Sequence, residues 1–217
     1  MPVKVGLKVI ELWNSSMEDQ VCAYEKEPVE KGKIVFYGPS YFTRWSEKWG
    51  MTPLKDAVKG KSGTPCCINR GFGSSCEEHH LYYYHRMVLP LAPKVLVYAP
   101  FGNGGCFGYT NDECFELAQR VVMYARTDFP DTRIYICSPF RRKNDPDDNV
   151  AKKEVHAKNL EEFAKSVPNC FFLDILHHEP FKNPDLFVDD GVHFNKDGYD
   201  AMAEFFNEVL KDELEQF

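Results

Sequence analysis

The feature that most constrains the fold is an alternation of short apolar runs with longer amphipathic segments. Four of these runs are rich in Val, Ile, Phe or Tyr, and a fifth run, residues 65–69, is weaker. Runs that are almost continuously apolar are typical of strands whose two faces are both covered. We therefore predict strands at residues 33–37, 65–69, 94–99, 133–137 and 170–175.

The segments between these runs carry apolar residues at helical spacing. Residues 196–214, for example, place Tyr199, Met202 and Phe206 on one face of a helix. Strands that alternate with helices indicate a mainly parallel sheet with helices on both sides. We expect an α/β fold, a three-layer α/β/α sandwich with five strands, forming a single domain over residues 1–217. Residues 1–31 are expected to be an N-terminal helical extension packed on it. Helices are predicted at residues 17–26, 77–89, 112–126, 150–166 and 196–214.

Charge and cysteine content restrict the class of protein. The 33 acidic and 26 basic residues give a formal charge of −7, which argues against a nucleic-acid partner. No apolar run approaches the roughly 20 residues needed to span a bilayer, so we expect no membrane association. Residues 1–11 do not resemble a secretory signal. We therefore expect the eight cysteines to be reduced thiols of a cytoplasmic protein.

Candidate functional residues follow the predicted strands, because parallel strands end at a common edge where ligands bind. Ser40 follows the first strand in the turn Gly38-Pro39-Ser40. It either exposes its hydroxyl at that edge or caps a helix, which is the commoner role of Ser. The glycines of residues 69–75 either let the backbone approach a ligand or form an ordinary loop.

Two further sites lie near the same predicted edge. Asn103, in a loop with three glycines, either donates an amide hydrogen bond to a developing oxyanion or serves as a turn residue. Asp190 precedes His193 by three residues in a turn that contains Gly191. It either orients the imidazole and stabilises its charged form, or caps a helix near a surface histidine.

Together these segments resemble the SGNH hydrolase superfamily, which includes GDSL-type lipases, acylhydrolases and esterases. The resemblance rests on residues 32–40, 69–75, 94–99 and 190–199. It implies a flavodoxin-like fold and a serine hydrolase that cleaves carboxylic acyl esters through an acyl-serine intermediate, without cofactor or metal. We expect the substrate to be a small-molecule or carbohydrate ester, with short-chain esters or O-acetylated carbohydrates favoured over other classes.

The resemblance also assigns roles to individual residues. Ser40 corresponds to the nucleophile, His193 to the general base and Asp190 to the residue that orients the base. The oxyanion hole corresponds to the backbone N–H of Ser40, a backbone N–H at Gly73 or Ser74, and the side chain of Asn103.

Three positions depart from the family pattern. Pro39 stands where the family often has Asp, Ser74 where it has Gly, and Gly104 after Asn103 where it usually has Asp. These departures leave open an alternative function, a non-catalytic or impaired binding protein on the same scaffold.

Rival catalytic and metal sites are disfavoured. The Gly-x-Ser-x-Gly elbow of α/β-hydrolases is absent, and no cysteine follows the first strand. One stretch is rich in potential zinc ligands, but its first two cysteines are adjacent and do not form a Cys-x-x-Cys pair. We therefore predict no metal site at these residues, which are Cys66, Cys67, Cys76, His79, His80 and His85.

Overall fold

The computed structural model describes residues 15–217 and is built around a five-stranded sheet in which all strands are parallel. The spatial order of the strands is β2-β1-β3-β4-β5, so the sheet grows in both directions from β1. This order is that of flavodoxin-like folds, in which a crevice forms beside the strand where the order reverses. The strands are β1 (Ile34–Gly38), β2 (Cys67–Gly71), β3 (Val95–Tyr98), β4 (Arg133–Cys137) and β5 (Cys170–Leu173).

Helices cover both faces of the sheet, which makes the molecule a three-layer α/β/α sandwich. Helices α1, α4, α5 and α6 contribute to the apolar core on one face, and α2, α3, α7 and α8 to the core on the other. The helices are α1 (Ser15–Glu25), α2 (Ser40–Thr43), α3 (Leu54–Ala57), α4 (Glu77–Met87), α5 (Asn111–Asp128), α6 (Asp147–Ser166), α7 (Lys196–Val209) and α8 (Lys211–Leu214).

The alternation of side chains along β1 explains why both faces are apolar. Ile34 and Phe36 belong to one core, whereas Val35 and Tyr37 belong to the other, and all four are fully buried. Successive side chains of a strand point to opposite faces, so a continuously apolar strand fits only between two covering layers. Strand β1 therefore lies between the two apolar layers of the sandwich.

The bounds of the predicted helices differ from the structure, and in three of them the difference has a local cause. Helix α6 begins at Asp147, not at residue 150, because two acidic residues after Pro146 favour a helix N-terminus. The predicted helix 196–214 is interrupted at Leu210, whose fully buried side chain accompanies a non-helical backbone (φ −101°, ψ 11°). The helix predicted to residue 89 ends at Met87, shortly before Pro90.

The predicted N-terminal extension is described only in part. Residues 1–14 of that extension lie outside the described residues. From Ser15 onward the chain forms α1, whose Met17 and Val21 are buried in the core against α4. All eight cysteines are free thiols. Within residues 15–217, none of the helices combines the length and the apolar character needed to cross a bilayer.

Candidate active site

The turn after β1 places Ser40 at the carboxyl edge of the sheet. Pro39 occupies the N-cap position of α2, and Ser40 is the first residue of that one-turn helix. Ser40 therefore lies inside α2 and does not occupy its N-cap position. Gly71 allows α2 to approach the end of β2, since a Cβ atom there would lie 2.5 Å from Phe42 Cβ.

Asn69 joins β2 to the helix that carries Ser40. Its Nδ2 donates to the carbonyl oxygen of Phe42 at 2.7 Å, and its Oδ1 accepts from the N–H of Gly71 at 2.8 Å. The amide group thus links the end of the strand to the last turn of α2. Sequence reasoning did not single out Asn69, because a polar residue at the end of a strand usually signals only a turn.

Ser40, His193 and Asp190 form a continuous chain of hydrogen bonds. His193 Nε2 lies 2.8 Å from Ser40 Oγ, and His193 Nδ1 lies 2.7 Å from Asp190 Oδ2. An ionised carboxylate can only accept, so Nδ1 carries the proton and Nε2 accepts from the serine hydroxyl. This arrangement prepares the imidazole to remove the proton of Ser40.

The turn at residues 190–193 holds the carboxylate in its ionised form. Burial raises the pKa of Asp190. Hydrogen bonds from the N–H groups of His193 and Val192 lower the pKa by more than burial raises it, so the net pKa is well below its usual range. Both N–H groups lie 2.9 Å from Oδ1. Gly191, at φ +68°, supplies the left-handed residue that this turn requires.

The imidazole of His193 is held neutral by its surroundings. Burial is the largest cause that lowers its pKa, and the charges of Arg44 and Arg142 act in the same direction. The hydrogen bond with Asp190 opposes them, but the net pKa lies below the usual histidine value. The side chain is 14% exposed, which keeps Nε2 available from the cleft.

Arg44 is a second residue that sequence reasoning missed. Its Nη1 lies 3.2 Å from Asp190 Oδ2, the oxygen that also accepts from His193. Its guanidinium carbon lies 4.4 Å from the centre of the Trp49 ring. Arg44 follows Ser40 by four residues and its N–H donates to the Ser40 carbonyl oxygen at 2.9 Å, so the α2 turn brings both to the same site.

The two residues predicted as oxyanion donors in the loop after β2 differ in their surroundings. The N–H of Gly73 donates to Gln20 Oε1 at 2.7 Å and is therefore engaged elsewhere. Ser74 adopts φ +63°, the left-handed conformation that a glycine would favour at this position. Ser74 also lines the cleft, so its N–H is a better candidate for an oxyanion donor than the N–H of Gly73.

Asn103 lies where the loops after β1, β2 and β3 converge. Its Nδ2 donates to the Ser75 carbonyl oxygen at 3.0 Å, which orients the amide and leaves its other hydrogen for a ligand. Gly102 makes this approach possible, because a Cβ atom there would lie 2.7 Å from both Pro39 Cβ and Ser75 O. The structure thus brings Asn103 to the same cleft as Ser40.

Two buried glutamates accept hydrogen bonds from the two ends of this loop. Glu77 accepts from the N–H of Phe101, a residue held at φ +61°, and Glu78 accepts from the hydroxyl of Tyr109. Both glutamates are fully buried at the start of α4, where the helix dipole favours negative charge. They fix the start and the end of the loop that carries Asn103.

The cleft at this edge has a volume of about 1250 Å³ and opens to solvent. Ser40 and His193 line it together with Trp49 and Phe140. Trp49 is 44% exposed, which is unusual for so large an apolar side chain. The cleft is therefore wide enough for a ligand of several rings as well as for a small ester.

The cysteine- and histidine-rich stretch has internal partners. Cys76 Sγ lies 3.2 Å from His79 Nδ1, whereas the ring nitrogens of His80 face Ser75 and Tyr98. Within residues 15–217, no group of three or more His, Cys, Asp or Glu side chains is arranged to hold a metal ion.

Comparison with known proteins identifies the fold. No family model and no curated protein matches the sequence. Among solved structures, a GDSL-like lipase from Bacteroides thetaiotaomicron matches with a TM-score of 0.67 at 19% identity, over 90% of this chain and 95% of that one. A family 3 carbohydrate esterase from Clostridium thermocellum matches with a TM-score of 0.62 at 15% identity, over 85% and 98%. An acetyl xylan esterase matches with a TM-score of 0.63 at 15% identity, over 82% and 99%. The chain therefore has the fold of the SGNH hydrolases, as its sequence predicted.

Proposed function

We propose that this chain, on its SGNH-hydrolase fold, is a serine esterase that cleaves carboxylic acyl esters through an acyl-serine intermediate. The observation that carries the proposal is the hydrogen-bonded chain from Ser40 through His193 to Asp190, with bonds of 2.8 and 2.7 Å, inside an open cleft. The names of the structural neighbours, which are lipases and carbohydrate esterases, agree with this class of reaction.

In the first step, His193 Nε2 removes the hydroxyl proton of Ser40 while Oγ attacks the ester carbonyl carbon. The imidazolium that forms is stabilised by the carboxylate of Asp190. It then protonates the leaving alcohol, and the acyl group remains on Ser40. Water, activated by the same imidazole, attacks the acyl-serine and releases the acid.

The negative charge that develops on the carbonyl oxygen needs donors on the opposite side from His193. We assign this role to the N–H groups of Ser40 and Ser74 and to the free amide hydrogen of Asn103. Loss of one such donor typically costs about 3–4 kcal/mol in the barrier. Because Pro39 lacks an N–H but leaves that of Ser40 intact, this departure from the family pattern does not remove a donor.

The substrates that we propose are short-chain acyl esters, including O-acetylated carbohydrates. The exposed ring of Trp49 offers a flat apolar face of the kind on which a sugar ring stacks. No metal or cofactor takes part in the proposed steps.

Hydrolysis of p-nitrophenyl acetate and butyrate tests this function, with Ser40→Ala as the matched control. The parent protein should release p-nitrophenol with saturation kinetics, and the variant should show no turnover while retaining the circular dichroism spectrum of the parent. Equal turnover in the variant would remove Ser40 from the mechanism. A folded parent protein that hydrolyses neither ester would favour the non-catalytic binding function.

A further inference from the structure

Six cationic side chains line the cleft, although the chain as a whole carries a charge of −7. Three of them have carboxylate partners: Arg44 pairs with Asp190 at 3.2 Å, Arg70 pairs with Glu27 at 2.7 Å, and Lys153 pairs with Asp145. The other three, Lys48, Lys55 and Arg142, have no carboxylate within ion-pair distance among residues 15–217. Of these three, Arg142 has a charge that lowers the pKa of His193 and a side chain that interacts with the Tyr41 hydroxyl. Arg142 therefore places a positive charge without a carboxylate partner beside the catalytic residues.

The loop that carries Arg142 is fixed to its surroundings. The N–H of Arg142 itself donates to Asp145 Oδ2 at 3.0 Å. On either side, Arg141 Nε donates to Leu176 O at 2.9 Å, and the N–H of Lys143 donates to Gly191 O at 2.7 Å. A charged group on a fixed loop binds a ligand with a smaller loss of conformational entropy than one on a mobile loop.

The position of Arg142 places it beside the expected site of the leaving alcohol. Its loop is bonded to the turn that carries Asp190 and His193, and its charge acts on both His193 and Tyr41, the residue after the nucleophile. In the proposed reaction His193 delivers its proton to the leaving oxygen. A group clustered with His193 therefore lies beside the alcohol portion of the ester.

We propose that Arg142 is a specificity-determining residue that binds a carboxylate on the alcohol portion of the substrate. The inference rests on the proposed esterase function and narrows it to esters of carboxylate-bearing alcohols, such as acetylated acidic sugars. The planar guanidinium matches the two oxygens of a carboxylate and stays charged at every relevant pH. The acidic surface of the rest of the chain repels such a substrate, so recognition depends on this local charge.

The test compares two acetate esters that differ only in charge, 4-acetoxybenzoate and the neutral 4-acetoxybenzamide. We take the ratio of kcat/KM for the charged ester to that for the neutral one in the parent protein and in Arg142→Gln. Comparing the ratios cancels the intrinsic reactivity of each ester. The ratio should fall about tenfold in the variant, in line with a charge-assisted hydrogen bond at a partly exposed site.

Lys143→Gln is the matched control, since Lys143 is the neighbouring cation on the same loop but does not line the main cleft. Its ratio should equal that of the parent. Raising the salt concentration from low to about 0.3 M should reduce the preference of the parent and not that of Arg142→Gln. An equal ratio in the parent and Arg142→Gln, or an equal fall in Lys143→Gln, would overturn the inference while leaving the esterase function intact.

A binding experiment tests the inference even if neither ester is cleaved. In Ser40→Ala, calorimetric titration should show tighter binding of 4-acetoxybenzoate than of the amide, and adding Arg142→Gln should abolish the difference. Absence of hydrolysis with this binding preference would refute the esterase function alone. Absence of the preference in Ser40→Ala would refute the role of Arg142.

Discussion

Replacing Arg44 by Gln should move the acidic limb of the pH–activity profile to higher pH. His193 acts as a base only when neutral, so activity falls as the pH drops through its pKa. The cation at Arg44 disfavours the imidazolium and lowers that pKa. Removing the cation raises the pKa, and a larger fraction of the enzyme is inactive at a given acidic pH.

The magnitude follows from the geometry. Bonds of 3.2 and 2.7 Å to the same oxygen of Asp190 place Arg44 Nη1 within about 6 Å of His193 Nδ1. At that distance two unit charges interact by about 0.7 kcal/mol in water and by about 1.4 kcal/mol at half its permittivity. Both side chains are partly exposed, so we expect their interaction energy to lie between these two values. The apparent pKa should therefore rise by about half a unit to one unit.

The assay is kcat/KM for p-nitrophenyl acetate from pH 5 to 9 at low ionic strength, for the parent, Arg44→Gln and Arg44→Lys. One unit below the parent's apparent pKa, Arg44→Gln should be about threefold to tenfold less active than the parent, with the two converging above pH 8. Arg44→Lys, which keeps the charge, should retain most of the parent profile. A uniform loss at all pH values in Arg44→Gln would show that Arg44 only supports the fold, and an unshifted profile would refute the electrostatic reasoning.

Three further substitutions test the surroundings of the nucleophile. Asn103→Ala should lower kcat for p-nitrophenyl acetate by about a hundredfold or more with little change in KM, because it removes an oxyanion donor; a change confined to KM would argue against that role. Gly71→Ala should reduce the free energy of unfolding in urea by about 1–3 kcal/mol, because the new Cβ would meet Phe42 Cβ at 2.5 Å. Unchanged stability would mean that the strand and helix separate at no cost. Glu77→Ala should lower that free energy by about 1–3 kcal/mol and also reduce kcat, since it leaves the partly buried N–H of Phe101 without its acceptor. Glu77→Gln keeps an acceptor and should recover most of the activity, whereas equal losses in both variants would contradict the explanation.

The strands could be predicted from the sequence because short, almost continuously apolar runs are typical of strands covered on both faces. All five predicted strands overlap the observed ones, and the alternation with helices predicted the parallel sheet. The short helices α2 and α3 were not predicted, since four residues carry no recognisable helical period. Their formation depends on tertiary contacts such as the bond from Asn69 to Phe42 O.

The sequence pattern by itself predicted a contact between site residues only within one turn, whereas Ser40 and Asn103 were placed at the site by the family resemblance. Asp190 and His193 lie in one turn, so their spacing indicated their contact in advance. Arg44 and Arg142 reach the site through the packing of separate elements, and nothing in their own segments distinguishes them from surface cations. Gly73 illustrates the same limit, because its N–H is engaged by Gln20, which lies 53 residues earlier in the chain.

Covalent labelling tests most directly whether the hydroxyl of residue 40 is an activated nucleophile. The protein would be incubated with a fluorophosphonate, and intact-mass and peptide mass spectrometry would count and locate the adduct. We expect a single phosphonyl group on Ser40 and greatly slowed labelling of His193→Ala. Labelling at a different residue, or equally fast labelling of His193→Ala, would contradict the account.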